Sequence, residues 1–286
     1  MRFKTDPAMF ICMALAVFTM AFSAWPCLAG QNDKFEIYQE ATDKWAPGML
    51  EVRFFEVGKG DASLLHLPDG SFVMIDTGYA ETATDLITTL KKIGVDKISL
   101  LVITHHHKDH AGGLPYLLEA FQVDKVVQAY DRREVGKPLV KPGLRLINSD
   151  RIKLTVLGPV RSHLDENEAS MVLRLEFASI SLLFAADILE ESQKDLLNSS
   201  AIMVANVLKV PHHGHFKGFS PREFFTAVRP EFAIITSDEK AGDPPEGSVV
   251  RILKELGARV LLTDERGEVR FISDGETIDY IPGGKK

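Results

Sequence analysis

Cysteine is nearly absent. The 286-residue chain has two, Cys12 and Cys27, and both fall within its first thirty residues. From Gly30 onward there is no thiol, which excludes a disulfide framework and any thiolate-held metal over that stretch. A metal bound there must be held by His, Asp, Glu or Asn. A basic excess is also lacking: 33 Lys and Arg face 40 Asp and Glu, for a net charge of −7. That balance argues against a basic nucleic-acid-binding surface. It leaves room for a phosphate-bearing substrate, because bound cations supply positive charge locally. Low-complexity tracts and internal repeats are missing, and no Pro-, Gly- or Ser-rich linker divides the chain, so one domain is expected.

One long apolar run is present. Arg2 and Lys4 precede Met9 to Trp25, which is apolar except for Thr19 and Ser23 and is followed by CLAG. This layout predicts a signal peptide over 1–29, cleaved after Ala29, and an exported protein, periplasmic or extracellular. The alternative is a membrane tether by an uncleaved N-terminus, since the run is almost long enough to span a bilayer. With cleavage, the mature chain has no transmembrane domain. Residues 30–49 read as a polar lead-in and 50–282 as the folded domain.

Within that domain LEVRFFEV, ASLLHLP and SFVMID read as strands separated by GKGD and PDG turns. ETATDLITTLKKIG reads as a helix with Leu86, Ile87, Leu90 and Ile93 on one face and Gly94 as its stop. ISLLVIT is continuously apolar, the pattern of a strand buried on both faces. DRREVGKPLVKPG reads as a surface excursion. The second half repeats the mixture, with RIKLTVLG, MVLRLEF, SISLLFAA, ANVLKV, EFAIIT, ARVLLT, EVRFI and ETIDY as strands. Helices interleaved with two groups of strands predict an α/β fold, an αββα sandwich.

Four of the nine histidines lie in one segment, ITHHHKDHAGG, directly after the buried strand ISLLVIT. Strand carboxyl ends are where α/β proteins place their sites. Imidazoles with a carboxylate suit a divalent cation such as zinc, and two ligand clusters this close imply two ions. A second charged residue, Asp187, ends SISLLFAA; it needs a partner if buried and is also placed to cap the helix LEESQKDLL.

HHHKDH fits the HxHxDH signature of the metallo-β-lactamase superfamily, and the resemblance covers nearly all of Leu50 to Tyr280. More narrowly, FEVGKGDASLLHLPDGSFVMIDTG, LKVPHHG and ITSDEKAGDPPEGSVVRILKELGARVLLTDERGEV resemble the hydrolase domain of ComEC/Rec2-type DNA-uptake proteins and its stand-alone relatives. The resemblance implies the αββα fold again. It implies His105 and His107 on a first ion, Asp109 and His110 on a second, and Asp187 bridging both. One of His212 and His213 should close the second site. His212 is favoured, because neighbouring residues of a strand point opposite ways. His213 and His215 would then contact substrate or protonate the leaving group. Asp76 would support the metal ligands from outside, and Asp61 would order its loop.

The third ligand of the first ion departs from the superfamily pattern. RSHLDENEAS precedes the strand MVLRLEF, offering His163 at a distance and Glu166 or Asn167 closer to the strand. HHGH and GDPP replace segments that often read HHGS and GHP-like in the branch, which bears on leaving-group and substrate contacts. Lys108 before Asp109 argues against the flavin- or iron-based redox relatives.

The expectation is an exported hydrolase with two zinc ions, or manganese instead, that uses a metal-activated water. Its substrate is a small molecule or a phosphodiester, with nucleic acid entering as substrate only. The alternatives are hydrolysis of a lactone, β-lactam or other carboxyl derivative, and a non-catalytic binding module on the same fold.

Overall fold

The computed structural model describes residues 44–216, 218–238 and 242–283, all within a compact unit that begins at Ala41. The expected signal peptide and the lead-in up to residue 43 lie outside the described residues. Among those described, no helix is long and apolar enough to cross a membrane.

Period-two burial sorts the side chains into layers. In Phe72–Ile75, Val73 and Ile75 join one apolar cluster while Phe72 and Met74 join another. In Ile180–Phe184, Leu182 and Phe184 face that same first cluster and Leu183 faces a third. Alternation of this kind, apolar on both faces, requires a sheet covered on both sides. The shared cluster is the interior between two sheets, where Phe54 of one stacks on Phe184 of the other at 5.8 Å. The outer clusters lie under helices. Leu86 and Leu90 of Ala83–Ile93 cover the first sheet. Phe224, Phe225 and Val228 of Arg222–Val228 and Leu253 of Gly247–Glu255 cover the second. The result is the αββα sandwich that the sequence pattern predicts.

Among the described residues, each of these two sheets has seven strands. The first runs, from edge to edge, Ile278–Ile281, Val269–Ser273, Leu50–Phe54, Ser63–His66, Phe72–Ile75, Leu100–Ile103, Val126–Gln128. The second runs Arg259–Leu262, Phe232–Ile235, Val207–Lys209, Ile180–Phe184, Val172–Phe177, Ile152–Gly158, Arg145–Asn148. In each, an antiparallel portion gives way to a parallel one: Phe72–Ile75 onward in the first, Ile180–Phe184 onward in the second. The parallel portions bring successive strand carboxyl ends to one edge, and that edge carries the site.

Gly94 ends its helix as expected. Its backbone is left-handed (φ 100°) and its N–H reaches the Leu90 and Lys91 carbonyls, a stop that suits glycine. The strand Arg145–Asn148 has no counterpart in the sequence pattern. It is an edge strand with half-exposed and exposed side chains, so it lacks the apolar signature by which strands are recognised. Trp45, in the expected lead-in, stacks on His66 at 3.6 Å and donates from Nε1 to the Met49 carbonyl, so packing begins before residue 50.

Candidate metal centre

Five strand ends meet here. Asp76 follows Phe72–Ile75, His105 to His110 follow Leu100–Ile103, Asp187 follows Ile180–Phe184, His213 follows Val207–Lys209, and Thr236 follows Phe232–Ile235. The histidine loop is fastened to its neighbour by Thr77, whose N–H and hydroxyl both donate to the His110 carbonyl at 2.7 and 2.9 Å. Contact is close enough that a methyl group at Gly113 would collide with the Thr77 carbonyl, which accounts for the Gly-Gly after the histidines.

Among the described residues the ligand-type atoms gather in three groups: two share Asp187, and a third, Asp61, Asp76 and His110, lies behind them and meets the second at His110. The first is His105, His107 and Asp187. His105 Nε2 lies 3.1 Å from His107 Nδ1 and 3.7 Å from Asp187 Oδ2. The second is Asp109, His110, Asp187 and His213. His110 Nε2 is 3.2 Å from Asp187 Oδ1, and His213 Nε2 is 3.5 Å from Asp187 Oδ2 and 3.6 Å from Asp109 Oδ2. Asp187 thus offers one oxygen to the second group alone and the other to both, the placement a bridging carboxylate needs. Asp187 Oδ1 is buried and makes no hydrogen bond among the described residues. A buried carboxylate oxygen without a hydrogen bond is costly unless a cation meets it. His110, held well above the ordinary imidazole range, is that cation in the metal-free protein, and a divalent ion would take its place. Imidazole nitrogens and carboxylates are the donors that divalent ions of this class take, so the residues present fit a two-ion centre.

Two sequence expectations differ from this geometry, the first being which histidine joins the second group. His213, and not His212, stands in the second group of ligand-type atoms. His212 Nδ1 instead lies 2.5 Å from the His215 carbonyl, outside both groups. The reason is the backbone. His212 and His213 both adopt left-handed conformations (φ 48° and 55°) ahead of Gly214 (φ 80°), so the alternation of a strand no longer applies. Asp76 (φ 58°) and Ala186 (φ 48°) are left-handed too. Such residues cost about 1–3 kcal/mol each and persist where surrounding structure over-determines them. Here they cluster at the ends of the site's strands.

The candidates for a third ligand on the first ion separate. His163 is buried elsewhere: Nε2 lies 3.0 Å from Asp195 Oδ2 and 3.3 Å from Ser192 Oγ. That corrects His163 as a candidate, since its partners belong to the helix Glu190–Asn198. Glu166 accepts the Tyr130 hydroxyl at 3.0 Å. Asn167 is buried, and its Oδ1 makes no hydrogen bond among the described residues. The segment behind it is anchored to the histidine loop by Met171 N–H on the Thr104 carbonyl at 2.9 Å. An orphaned buried acceptor needs a partner, and Asn167 is the candidate whose own bonding leaves one wanting.

Behind the ligands stand carboxylates. Asp76 accepts the Thr104 N–H at 2.8 Å and the Thr104 hydroxyl at 2.7 Å, and its Oδ2 faces His110 Nδ1 at 2.9 Å. Asp61 Oδ1 accepts the Thr236 hydroxyl at 2.6 Å, and Thr236 Oγ1 lies 2.8 Å from His213 Nδ1. Asp61 Oδ2 pairs with Lys209 Nζ at 2.8 Å. Asp61 also orders its loop, donating its N–H to the Asp109 carbonyl and accepting the Gly78 N–H. Neither Lys209 nor Thr236 is among the residues that the sequence points to. The one signal there is a lysine inside the apolar run ANVLKV.

Burial and charge set opposite histidine states. Burial, reinforced by His110, pushes His105 well below the ordinary imidazole range. Burial opposes charge on His110 also, but Asp187, Asp76 and Asp61 outweigh it and hold His110 well above that range. Burial likewise opposes ionisation of Asp187, and His110 and His213 outweigh it, holding the carboxyl well below its usual range. At the rim, His215 Nε2 is 3.2 Å from Asp243 Oδ1, at ion-pair distance though not in hydrogen-bonding geometry. Lys59 Nζ reaches the other oxygen of Asp243 at 2.5 Å.

A family model described as the Metallo-beta-lactamase superfamily matches residues 56–220. The chain is 28% identical over 255 residues to ComE operon protein 3 of Bacillus subtilis, covering 77% of this chain and 33% of that protein. It is 26% identical over 117 residues to Ribonuclease Z of Metallosphaera sedula, covering 39% of this chain and 37% of that protein. The chain therefore spans about a third of the length of these curated relatives. Among solved structures, a variant of CmlA β-hydroxylase matches with a TM-score of 0.50 at 14% identity, over 79% of this chain and 54% of that one.

Proposed function

Because the chain belongs to the metallo-β-lactamase superfamily and is a metal-dependent hydrolase, we propose that it is a phosphodiesterase, exported, and loaded with two zinc ions, or with manganese in their place. The observation that carries the proposal is the pair of histidine–carboxylate groups joined through Asp187. His105, His107 and Asp187 would hold the first ion, with Asn167 the candidate for the remaining place. Asp109, His110, Asp187 and His213 would hold the second. Ions bound there would supply an activated water and polarise the substrate oxygen. The protein's own part is to fix that geometry: Asp76 orients the His110 ring and Asp187 sets the spacing between sites. His215, partly open at the rim beside Asp243, is the candidate for protonating the leaving group.

The phosphodiester preference draws on the partial likeness to a ribonuclease and on the resemblance to the DNA-uptake branch. The export proposal draws on Arg2 and Lys4, the apolar run from Met9 and the CLAG segment. The test is a substrate screen of zinc- and manganese-loaded protein against bis-p-nitrophenyl phosphate, single-stranded DNA, a lactone and nitrocefin. Hydrolysis of the first or second, abolished in Asp187→Ala, supports the phosphodiesterase. Turnover of the lactone or nitrocefin alone would replace it with a carboxyl-derivative hydrolase.

A further inference from the structure

Lys209, the last residue of Val207–Lys209, is 2% exposed and belongs to none of the ligand groups. Its Nζ lies 2.8 Å from Asp61 Oδ2, an ion pair, and donates to the Val210 carbonyl at 3.1 Å. Asp61 is 5% exposed, and its other oxygen takes the Thr236 hydroxyl. Asp61, Ser63, Asp76, Thr104 and Lys209 also line a cavity of about 10 Å³, room for roughly one water. Burying an ammonium and a carboxylate costs several kcal/mol per ion before their attraction is counted. An arrangement kept at that cost calls for a role.

Hydrogen-bond direction supplies it. A threonine hydroxyl has one proton to donate. Thr236 gives it to Asp61, which as the partner of a lysine is an acceptor. The same hydroxyl oxygen can then only accept from its other neighbour, His213 Nδ1 at 2.8 Å. An imidazole that donates from Nδ1 keeps its lone pair on Nε2, and Nε2 is the nitrogen that faces Asp187 and Asp109. His110 gets the same orientation directly from Asp76. Asp61 Oδ1 lies 3.5 Å from His213 Nδ1, and the hydrogen bonds that connect them run through the Thr236 hydroxyl, in a chain that begins at a buried lysine.

We propose that the Lys209–Asp61 ion pair and the Asp61–Thr236 hydrogen bond form a directional relay that positions His213 with Nε2 toward the second ion and so sets the affinity of that site alone. These are positioning residues: none of the three belongs to the ligand group that contains His213. The inference rests on the reading of His213 as a metal ligand.

The test uses full-length protein and zinc titrations against a chromophoric chelator, comparing wild type with Thr236→Val and Thr236→Ser. Valine keeps the shape and removes the hydroxyl; serine keeps the hydroxyl. Thr236→Val should bind one of its two ions about 10–100-fold more weakly, the range for lost outer hydrogen bonds to a ligand, with the other ion unaffected. Thr236→Ser should bind both nearly as wild type does. Lys209→Met should weaken the same ion, provided its metal-free melt remains cooperative. Wild-type affinity at both sites in Thr236→Val would overturn the relay. So would equal weakening at both sites, or failure of serine to restore binding. A wild type that binds no ion would overturn the metal reading beneath it instead.

Discussion

His213 Nε2 stands 3.5 Å from Asp187 Oδ2, across two parallel strands that are neighbours in the second sheet. Both residues follow a left-handed backbone position, Ala186 before one and His212 before the other. The strand ends must therefore bend sharply to bring the two side chains face to face.

Two substitutions test which histidine closes the second site. His213→Ala should remove one ion per chain and reduce hydrolysis at least about a hundredfold, of the order seen when a catalytic electrostatic contact is lost. His212→Ala should retain both ions. Elemental analysis of the two variants decides it, and the reverse pattern would restore His212 as the ligand.

Asp187→Ala should behave differently from either. Its carboxylate reaches both groups, so both ions should be lost or weakened together and hydrolysis abolished. Titration of metal content against zinc concentration distinguishes this from loss at one site.

His163 and Asn167 should also separate. His163→Ala removes contacts to Asp195 and Ser192 and should cost about 1–3 kcal/mol of stability, the range for leaving buried partners unpaired, with metal content unchanged. Asn167→Ala should weaken the first ion. A thermal melt and a metal titration on each variant check both statements.

The stabilisation that metal confers should grow with pH. The folded metal-free protein holds His110 well above its ordinary value, against burial, through Asp187, Asp76 and Asp61. Its protonation therefore stabilises the metal-free fold fully below about 6.5, the unfolded value, and this is lost as pH rises through the folded value. A metal must displace that proton, so binding strengthens over the same range. The gap in melting temperature between zinc-loaded and metal-free protein should widen from about pH 6 to about pH 8. A constant or shrinking gap would contradict this.

The layers and most strands are legible in the sequence because burial leaves a period there: Val73 and Ile75 against Phe72 and Met74 is one case. The histidine loop is legible because its four imidazoles and one carboxylate, crowded into a single short segment, are the donor set that a divalent ion takes. What is not legible depends on backbone conformation or on distance along the chain. The choice between His212 and His213 turns on two φ angles that apolar periodicity does not encode. Thr236 meets Asp61 across 175 residues, and nothing local in EFAIIT marks its threonine as different from any strand end. Arg145–Asn148 lies at a sheet edge, where packing asks little of the side chains.

The count of divalent ions per chain, measured by elemental analysis of full-length protein after zinc reconstitution and removal of excess, tests the central claim most directly. Two ions per chain is the expected result. A chain that retains none would contradict the metal centre and the hydrolytic mechanism built on it.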